Sequence, residues 1–206
     1  MNPRPYMSPH RNAAATRTRD RIVKAAAAIL SAADGINGFS LEVVARKARV
    51  TRLTVYNHFG SRRVLLEAVF DERAARGGLH RIAEVMAGSD PQADLLRIIE
   101  IFCDFWNFDP GTLRLLHAAG ANDPEFEACL RERNERRRHV LSVLVHRIAG
   151  SRRLTPQTED DLTDVLFALT SFHFVTQLTT AERTKVPACK LIQNLAMDAV
   201  GRAIRG

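Results

Sequence analysis

The chain is poor in cysteine, aromatics and lysine, and it has no long apolar run. Its three cysteines, Cys103, Cys129 and Cys189, are far apart and form no CxxC pair. An odd, scattered set excludes a disulfide framework and reads as reduced thiols of a cytoplasmic protein. No stretch approaches the roughly 18 to 20 apolar residues that a membrane-crossing helix needs. Met1 to Thr16 lacks an apolar core segment, so no secretory signal is expected there. Strand-like alternation and internal repeats are both missing. So are a GxSxG nucleophile elbow, a phosphate-cradling glycine loop, an HExxH helix and a carboxylate pair in a credible cleft. No enzyme, cofactor or metal site is expected from such a chain.

What remains is charge, unevenly placed. Only four of the 30 basic residues are lysine (Lys24, Lys47, Lys185 and Lys190), and the formal net charge is +7. Residues 1–63 hold twelve Lys and Arg against three Asp and Glu, a balance of +9. Residues 64–206 hold eighteen against twenty, a balance of −2. A basic first third on a near-neutral body suits a polyanion-binding segment attached to a second module.

Residues 1–16, with Pro3, Pro5 and Pro9, read as a flexible arm. Its arginines, Arg4 and Arg11, with Arg17 and Arg19 just beyond, form either a passive tail or an arm reaching a minor groove. From Thr18 the spacing predicts a helix, with Ile22, Ala26, Ile29, Leu30 and Ala33 on one stripe and Gly35 at its end. Ser40, Thr51 and Ser61 stand where caps of three further helices belong. Gly77-Gly78 break the third. A capping residue followed by proline recurs at Asp90-Pro91, Asp109-Pro110, Asp123-Pro124 and Thr155-Pro156. That device starts helices, because proline fits the first helical position. Helices are expected near 91–107, 110–119, 123–149, 156–180 and 187–205. The fold class expected is all-α, with about nine helices.

Residues 40–66, SLEVVARKARVTRLTVYNHFGSRRVLL, read as a helix, a tight turn, a second helix and the start of a third. The pattern fits a helix-turn-helix, whose second helix enters the major groove. Ala45 and Ala48 allow close helix approach, and Val50, Val55 and Phe59 fill the space between. Arg52 and Tyr56 share a face, and Leu53 and Asn57 form the next row. Arg suits guanine, Asn adenine, and Leu a thymine methyl. Thr51, Thr54, His58 and Arg62 suit phosphates, and Ser40 joins them at the preceding cap. Taken alone, Tyr56 also reads as a half-buried core aromatic and His58 as a ring stacked on a helix end.

Residues 18–66 resemble the DNA-binding domain of the TetR/AcrR family of bacterial transcriptional regulators. The likeness runs through SLEVVARKA and TVYNHFGSRRVLL, the latter similar to the family core T-(L/V)-Y-x-H-F-x-(S/N)-(K/R). The resemblance implies a homodimeric regulator with an N-terminal reader, residues 17–63, and a C-terminal ligand-binding and dimerisation domain, residues 64–206. By position it makes Arg52, Leu53 and Tyr56 base-facing, and Thr54, His58 and Arg62 phosphate-facing. Two positions depart from the pattern. The turn residue, often glycine in the family, is Arg49, and Leu53 stands where small residues or proline are common.

In the C-terminal body the final two helices suit dimerisation. Leu162, Val165, Leu166, Leu169 and Phe172 line one, and Leu191, Leu195 and Ile204 the other, with Ala196 and Ala199 permitting close approach. The alternative is that both are core helices of a monomer. Aromatics at Phe102, Phe105, Trp106 and Phe172, with Leu116, His117 and His173, suggest a pocket for a small apolar or aromatic effector, or else ordinary core. The run RERNERRRH (131–139) reads as a solvated helix face with pairs such as Glu132–Arg136. The expected function is a homodimeric repressor released from a palindromic DNA operator by that effector. A sequence-independent DNA-coating protein is the alternative that the charge split alone permits.

Overall fold

The computed structural model describes residues 9–32, 38–121, 123–150 and 154–205. Among them are eleven α-helices and one 3-10 turn, and no strand. In order, the helices are α1 (Pro9–Leu30), α2 (Leu41–Ala48), α3 (Arg52–Phe59), α4 (Arg62–Arg76), α5 (Ile82–Met86), α6 (Pro91–Phe108), α7 (Pro110–Gly120), α8 (Pro124–Ala149), α9 (Pro156–Leu169), α10 (Phe172–Leu178) and α11 (Lys185–Arg205). The 3-10 turn is Leu79–Arg81.

The caps predicted from sequence form. Ser40, Thr51 and Ser61 accept from the backbone N–H three residues on, at Val43, Thr54 and Val64. Asp90, Asp109, Asp123 and Thr155 do the same work ahead of their prolines. Each such bond satisfies a donor that the first turn of a helix leaves unpaired.

Three expectations change. The first helix begins at Pro9, inside the stretch expected to be a flexible arm to Thr16. Ala33, Gly35 and residues 1–8, Arg4 among them, lie outside the described residues. The count of about nine helices becomes eleven because two segments break. After Gly78, whose φ is 91°, the chain makes the 3-10 turn and the five-residue α5. The expected helix 156–180 divides at Thr170–Ser171. There Thr170 Oγ1 donates back to the Leu166 carbonyl at 2.8 Å, and Ser171 caps a new helix through Phe174 N–H. Hydroxyls that bond locally compete with helix continuation, a signal that apolar periodicity does not carry.

The N-terminal module packs Ile22, Val23, Ala26 and Leu30 of α1 against Val44 and Ala45 of α2, Val55 and Phe59 of α3, and Leu65, Leu66 and Val69 of α4. The larger body is built around α6, whose Leu95, Ile98, Ile99, Phe102 and Phe105 are buried. Ser31 Oγ and Thr112 Oγ1 share a hydrogen bond that ties the end of α1 to α7. Arg147 on α8 reaches the Met86 and Gly88 carbonyls and the buried Asp94 carboxylate at 3.0 Å, fastening the α5–α6 loop. Lys185 and Arg81 converge on Asp104, tying α11 and the 3-10 turn to α6.

The last long helices are used differently from expectation. Leu162, Leu166, Leu169 and Phe172 are buried in the chain's own core, as are Ala196 and Ala199. The close-approach role assigned to the two alanines is therefore served within the subunit. Apolar groups left outward on these helices are Val165, Val186 and Leu195.

At the end of α4, a Cβ on Gly77 would lie 2.7 Å from Phe105 Cδ2 and 3.1 Å from its Cα. Backbone cannot yield as a flexible side chain does, so Gly77→Ala should force α4 and α6 apart. The expected loss is about 1–3 kcal/mol of stability, read as a lowered urea midpoint. An unchanged midpoint would show that the crossing is not tight.

Candidate functional site

Two features carry chemistry, the face of α3 and a cavity in the body. The turn before α3 is left-handed at Arg49, with φ 54° and ψ 48°, and Arg49 is the one non-glycine residue with positive φ among the described residues. Its N–H bonds the Arg46 carbonyl at 3.2 Å, and Val50 N–H bonds that of Ala45 at 3.0 Å. This closes α2 and redirects the chain into α3. Such a conformation costs an L-residue roughly 1 kcal/mol relative to glycine.

Helix α3 buries Val55 and Phe59 and turns the opposite side outward. Arg52, Leu53, Tyr56 and Asn57 are exposed, Leu53 at 66% and Tyr56 at 59%. Tyr56 is thus not a half-buried core aromatic. Ser40 and Thr51 are exposed at their caps, while Thr54, His58 and Arg62 are half-buried beside the exposed row. The Thr54 and Thr51 hydroxyls are 2.8 Å apart. His58 lies with its ring centroid 6.2 Å from that of Phe59. The Arg62 guanidinium is 5.4 Å above the Phe39 ring and that of Arg19 is 5.1 Å from Phe59, so two cations flank the face on aromatic supports. Nearby Arg46 and Lys47 are exposed. All nine residues singled out in sequence therefore lie on one short stretch, with no acidic side chain on α3.

The cavity, of about 260 Å³, lies between α4, α6 and α8. Phe70, Asp71 and Ala74 come from α4, Phe102, Phe105 and Trp106 from α6, and His117 from α7. Leu79 and Ile82 close one side, and α8 contributes Leu130, Arg133, Asn134, Arg136, Arg137 and Val140. Four of the seven pocket residues expected from sequence line it. Leu116 is fully buried, Phe172 stacks on His117 with centroids 4.7 Å apart, and His173 lies beside Phe172. None of these three lines the cavity, and Phe172 supports its wall through His117.

The α8 residues were missed. Arg137 is only 7% exposed, which corrects the reading of 131–139 as a wholly solvated face. The ion pairs of this run are Arg133–Asp71 at 2.7 Å and Arg138 with Asp164 and Glu135. Arg137 stacks 3.9 Å from the Phe167 ring centroid and donates to the Phe167 carbonyl and Thr170 Oγ1. Burial, and then the neighbouring Arg138, lower its pKa to about 10. The one available signal was Asn134 and Arg137 falling on the same helical face as Leu130, Leu141 and Leu144.

Cys103 and Cys189, distant in sequence, meet between α6 and α11 and share a hydrogen bond. That bond, and then burial, push the Cys103 thiol far above the ordinary range, which makes it a poor nucleophile.

His117 Nδ1 lies 2.8 Å from the Leu113 carbonyl, so the neutral ring donates there and keeps Nε2 as an acceptor. Burial lowers its pKa below 6.5, more than offsetting that bond. Below pH 6.5 the unfolded chain therefore takes up a proton that the folded chain refuses. Stability falls as pH drops through this window. The urea midpoint of the wild type should decline between about pH 7.5 and about 5.5, and His117→Gln should flatten part of that decline. Equal slopes in both proteins would remove His117 as the cause.

Residues 22–69 match the model of the bacterial regulatory proteins of the tetR family. No curated relative matches the chain. A TetR-like transcriptional regulator from Rhodococcus sp. RHA1 superposes with a TM-score of 0.63 at 18% identity, over 89% of this chain and 96% of its own. A TetR regulator from Haloarcula marismortui ATCC 43049 gives 0.67 at 15%, over 91% and 98%. A regulator from Saccharomonospora viridis, solved with choline, gives 0.61 at 14%, over 89% and 95%. At these identities the structures establish a shared fold, while the matched segment spans the helix-turn-helix itself. Residues 22–69 are thus similar to the bacterial regulatory proteins of the tetR family, and the chain as a whole shares its fold with TetR-like transcriptional regulators.

Proposed function

We propose that the chain is a homodimeric repressor that binds a palindromic operator through α3 and is released by a small effector in the cavity. The observation that carries this reading is the double use of α4. Its first turn, Ser61 to Val64, adjoins the α3 face, and its later residues Phe70, Asp71 and Ala74 line the cavity. A ligand touching those three residues acts on the helix that sets the reader's position. It shifts the balance of states only by its differential affinity for them.

In this reading Arg52, Leu53, Tyr56 and Asn57 face base edges. Ser40, Thr51 and Arg62 at helix starts, with Thr54 and His58 along α3, hold phosphates. The second subunit meets the outward apolar groups of α9 and α11, Val165 and Leu195, placing two α3 helices about 34–36 Å apart for successive major grooves. A cytoplasmic setting fits a chain whose described helices include none long and apolar enough to cross a membrane. The complexes of two structural relatives, one with choline and one, the multidrug binding protein EbrR, with imidazole, support a small-molecule role for this fold.

Footprinting across the protein's own upstream region should reveal a protected palindrome. Arg52→Ala should relax base preference at one position per half-site by about 1–3 kcal/mol, measured by competition among operator variants. Equal weakening on all sequences would assign Arg52 to phosphate, and equal affinity for random and palindromic DNA at one salt concentration would replace the repressor reading with a DNA-coating one.

Leu195→Glu should shift the sedimentation mass of the chain from dimer to monomer, because a charge then faces an apolar interface. A dimer that survives this change, paired with Val165→Asp, would move the interface elsewhere.

A further inference from the structure

We infer that the cavity takes an apolar molecule ending in a carboxylate, with Arg137 as the group that meets its charge. This rests on the reading of the cavity as the effector site and names the chemical class that fits it.

The argument begins with charge. The charged side chains lining the cavity are Asp71, Arg133, Arg136 and Arg137. Asp71 is taken by Arg133 at 2.7 Å, at the edge of the cavity. No ion pair joins an acid to Arg137 or Arg136 among the described residues. His117 adds no charge, since burial favours its neutral form. The lining is therefore left with an excess of cation, and part of that excess is buried.

Arg137 is the deepest of the three arginines. Its terminal nitrogens are engaged by the Phe167 carbonyl, Thr170 Oγ1 and Asn134 Oδ1. Its Nε is buried and has no hydrogen-bond partner. A buried donor without a partner is destabilising, more so when it is charged, and a buried cation favours an anion beside it. The partners it does have are neutral oxygens, two at the end of α9 and one on α8, which offset the charge without neutralising it. Three of its five N–H donors are engaged, leaving Nε–H and one on Nη2, which suits the two oxygens of a singly charged carboxylate better than a phosphate, which needs more donors.

The rest of the cavity is apolar. Phe70, Phe105 and Trp106 form its aromatic wall, with Leu79, Ile82 and Val140 around them. At about 260 Å³ it lies near the small end of ligand sites, which run from roughly 300 Å³ upward. The size fits a body of one or two rings or a short chain. His117 Nε2 offers an acceptor to a hydroxyl or amide on that body.

The test is isothermal titration of the full-length protein with three probes that share one apolar body: 2-naphthoate, 2-naphthamide and 2-naphthylmethylammonium. The carboxylate is expected to bind at least tenfold more tightly than the amide, and the ammonium most weakly. In Arg137→Met the affinities of carboxylate and amide should converge. If that variant does not fold, the wild-type series still decides. Ala74→Phe, which fills the cavity from α4, should abolish binding of every probe. Equal binding of carboxylate and amide to the wild type overturns the inference and leaves the effector cavity in place. Binding that survives Ala74→Phe, or no binding by any probe, removes the cavity reading and the inference with it.

Discussion

Everything in this molecule depends on one helix that packs against both the N-terminal helices and the rest of a continuous core. Helix α4 closes the N-terminal module with Leu65, Leu66 and Val69 and then supplies Phe70 and Ala74 to the wall of the body. It does so within fifteen residues, about four turns. The close approach of Gly77 to the Phe105 backbone lets it end flush against α6 and not run on into it. Phe105 then faces Phe70 with ring centroids 5.8 Å apart. Aromatic packing inside a dense core transmits displacement and does not absorb it. Helices α6 and α8 both pack on α4, and Ser61 and Arg62 at its start join it to the segment around α3. Arg63, which reaches Glu125 on α8 at 3.1 Å, gives the start of the same helix a second hold on the body.

The body solves a related problem at the end of α9. Its final carbonyls have no continuing helix to receive them, because the chain restarts at Ser171. Two side chains from elsewhere take them instead. Arg137 from α8 donates to Phe167, and Trp106 Nε1 from α6 donates to Thr170 at 2.8 Å. Three helices are thus joined at one helix end, by donors whose own burial depends on that junction. A cation at a helix C-terminus also suits the partial negative charge there. The junction couples the wall of the cavity to the helix that carries Val165 on its outer side.

The legible part of this structure was the part written in local rules. Ser40, Thr51 and Ser61, and the four residues ahead of prolines, announce helix starts through a bond made within one turn, and all seven form. The exposed face of α3 was legible because Val55 and Phe59 leave only one side free. The break at Thr170 was not, because apolar periodicity runs on past the local hydroxyls of Thr170 and Ser171, and the contacts that add to them come from Arg137 and Trp106 in distant sequence. For the same reason a run as charged as 131–139 gave little sign that its Arg137 is buried among Phe102, Phe167 and Thr170. Composition reports what a residue prefers on average, whereas burial of a cation is decided by what the fold brings to it. Phe172 and His173 were placed in the cavity by aromatic clustering alone, and clustering does not distinguish the wall from its support.

The left-handed turn at Arg49 sets a limit on how this protein can change. A domain of ordinary stability has only about 5–15 kcal/mol in hand, so a strained turn of about 1 kcal/mol is a perceptible fraction of it. Glycine at this position would relieve the strain, and it would also remove one of the twelve positive charges of the first 63 residues. Firmer folding and greater positive charge on the helix-turn-helix are opposed at this single residue, and the sequence as it stands has kept the charge.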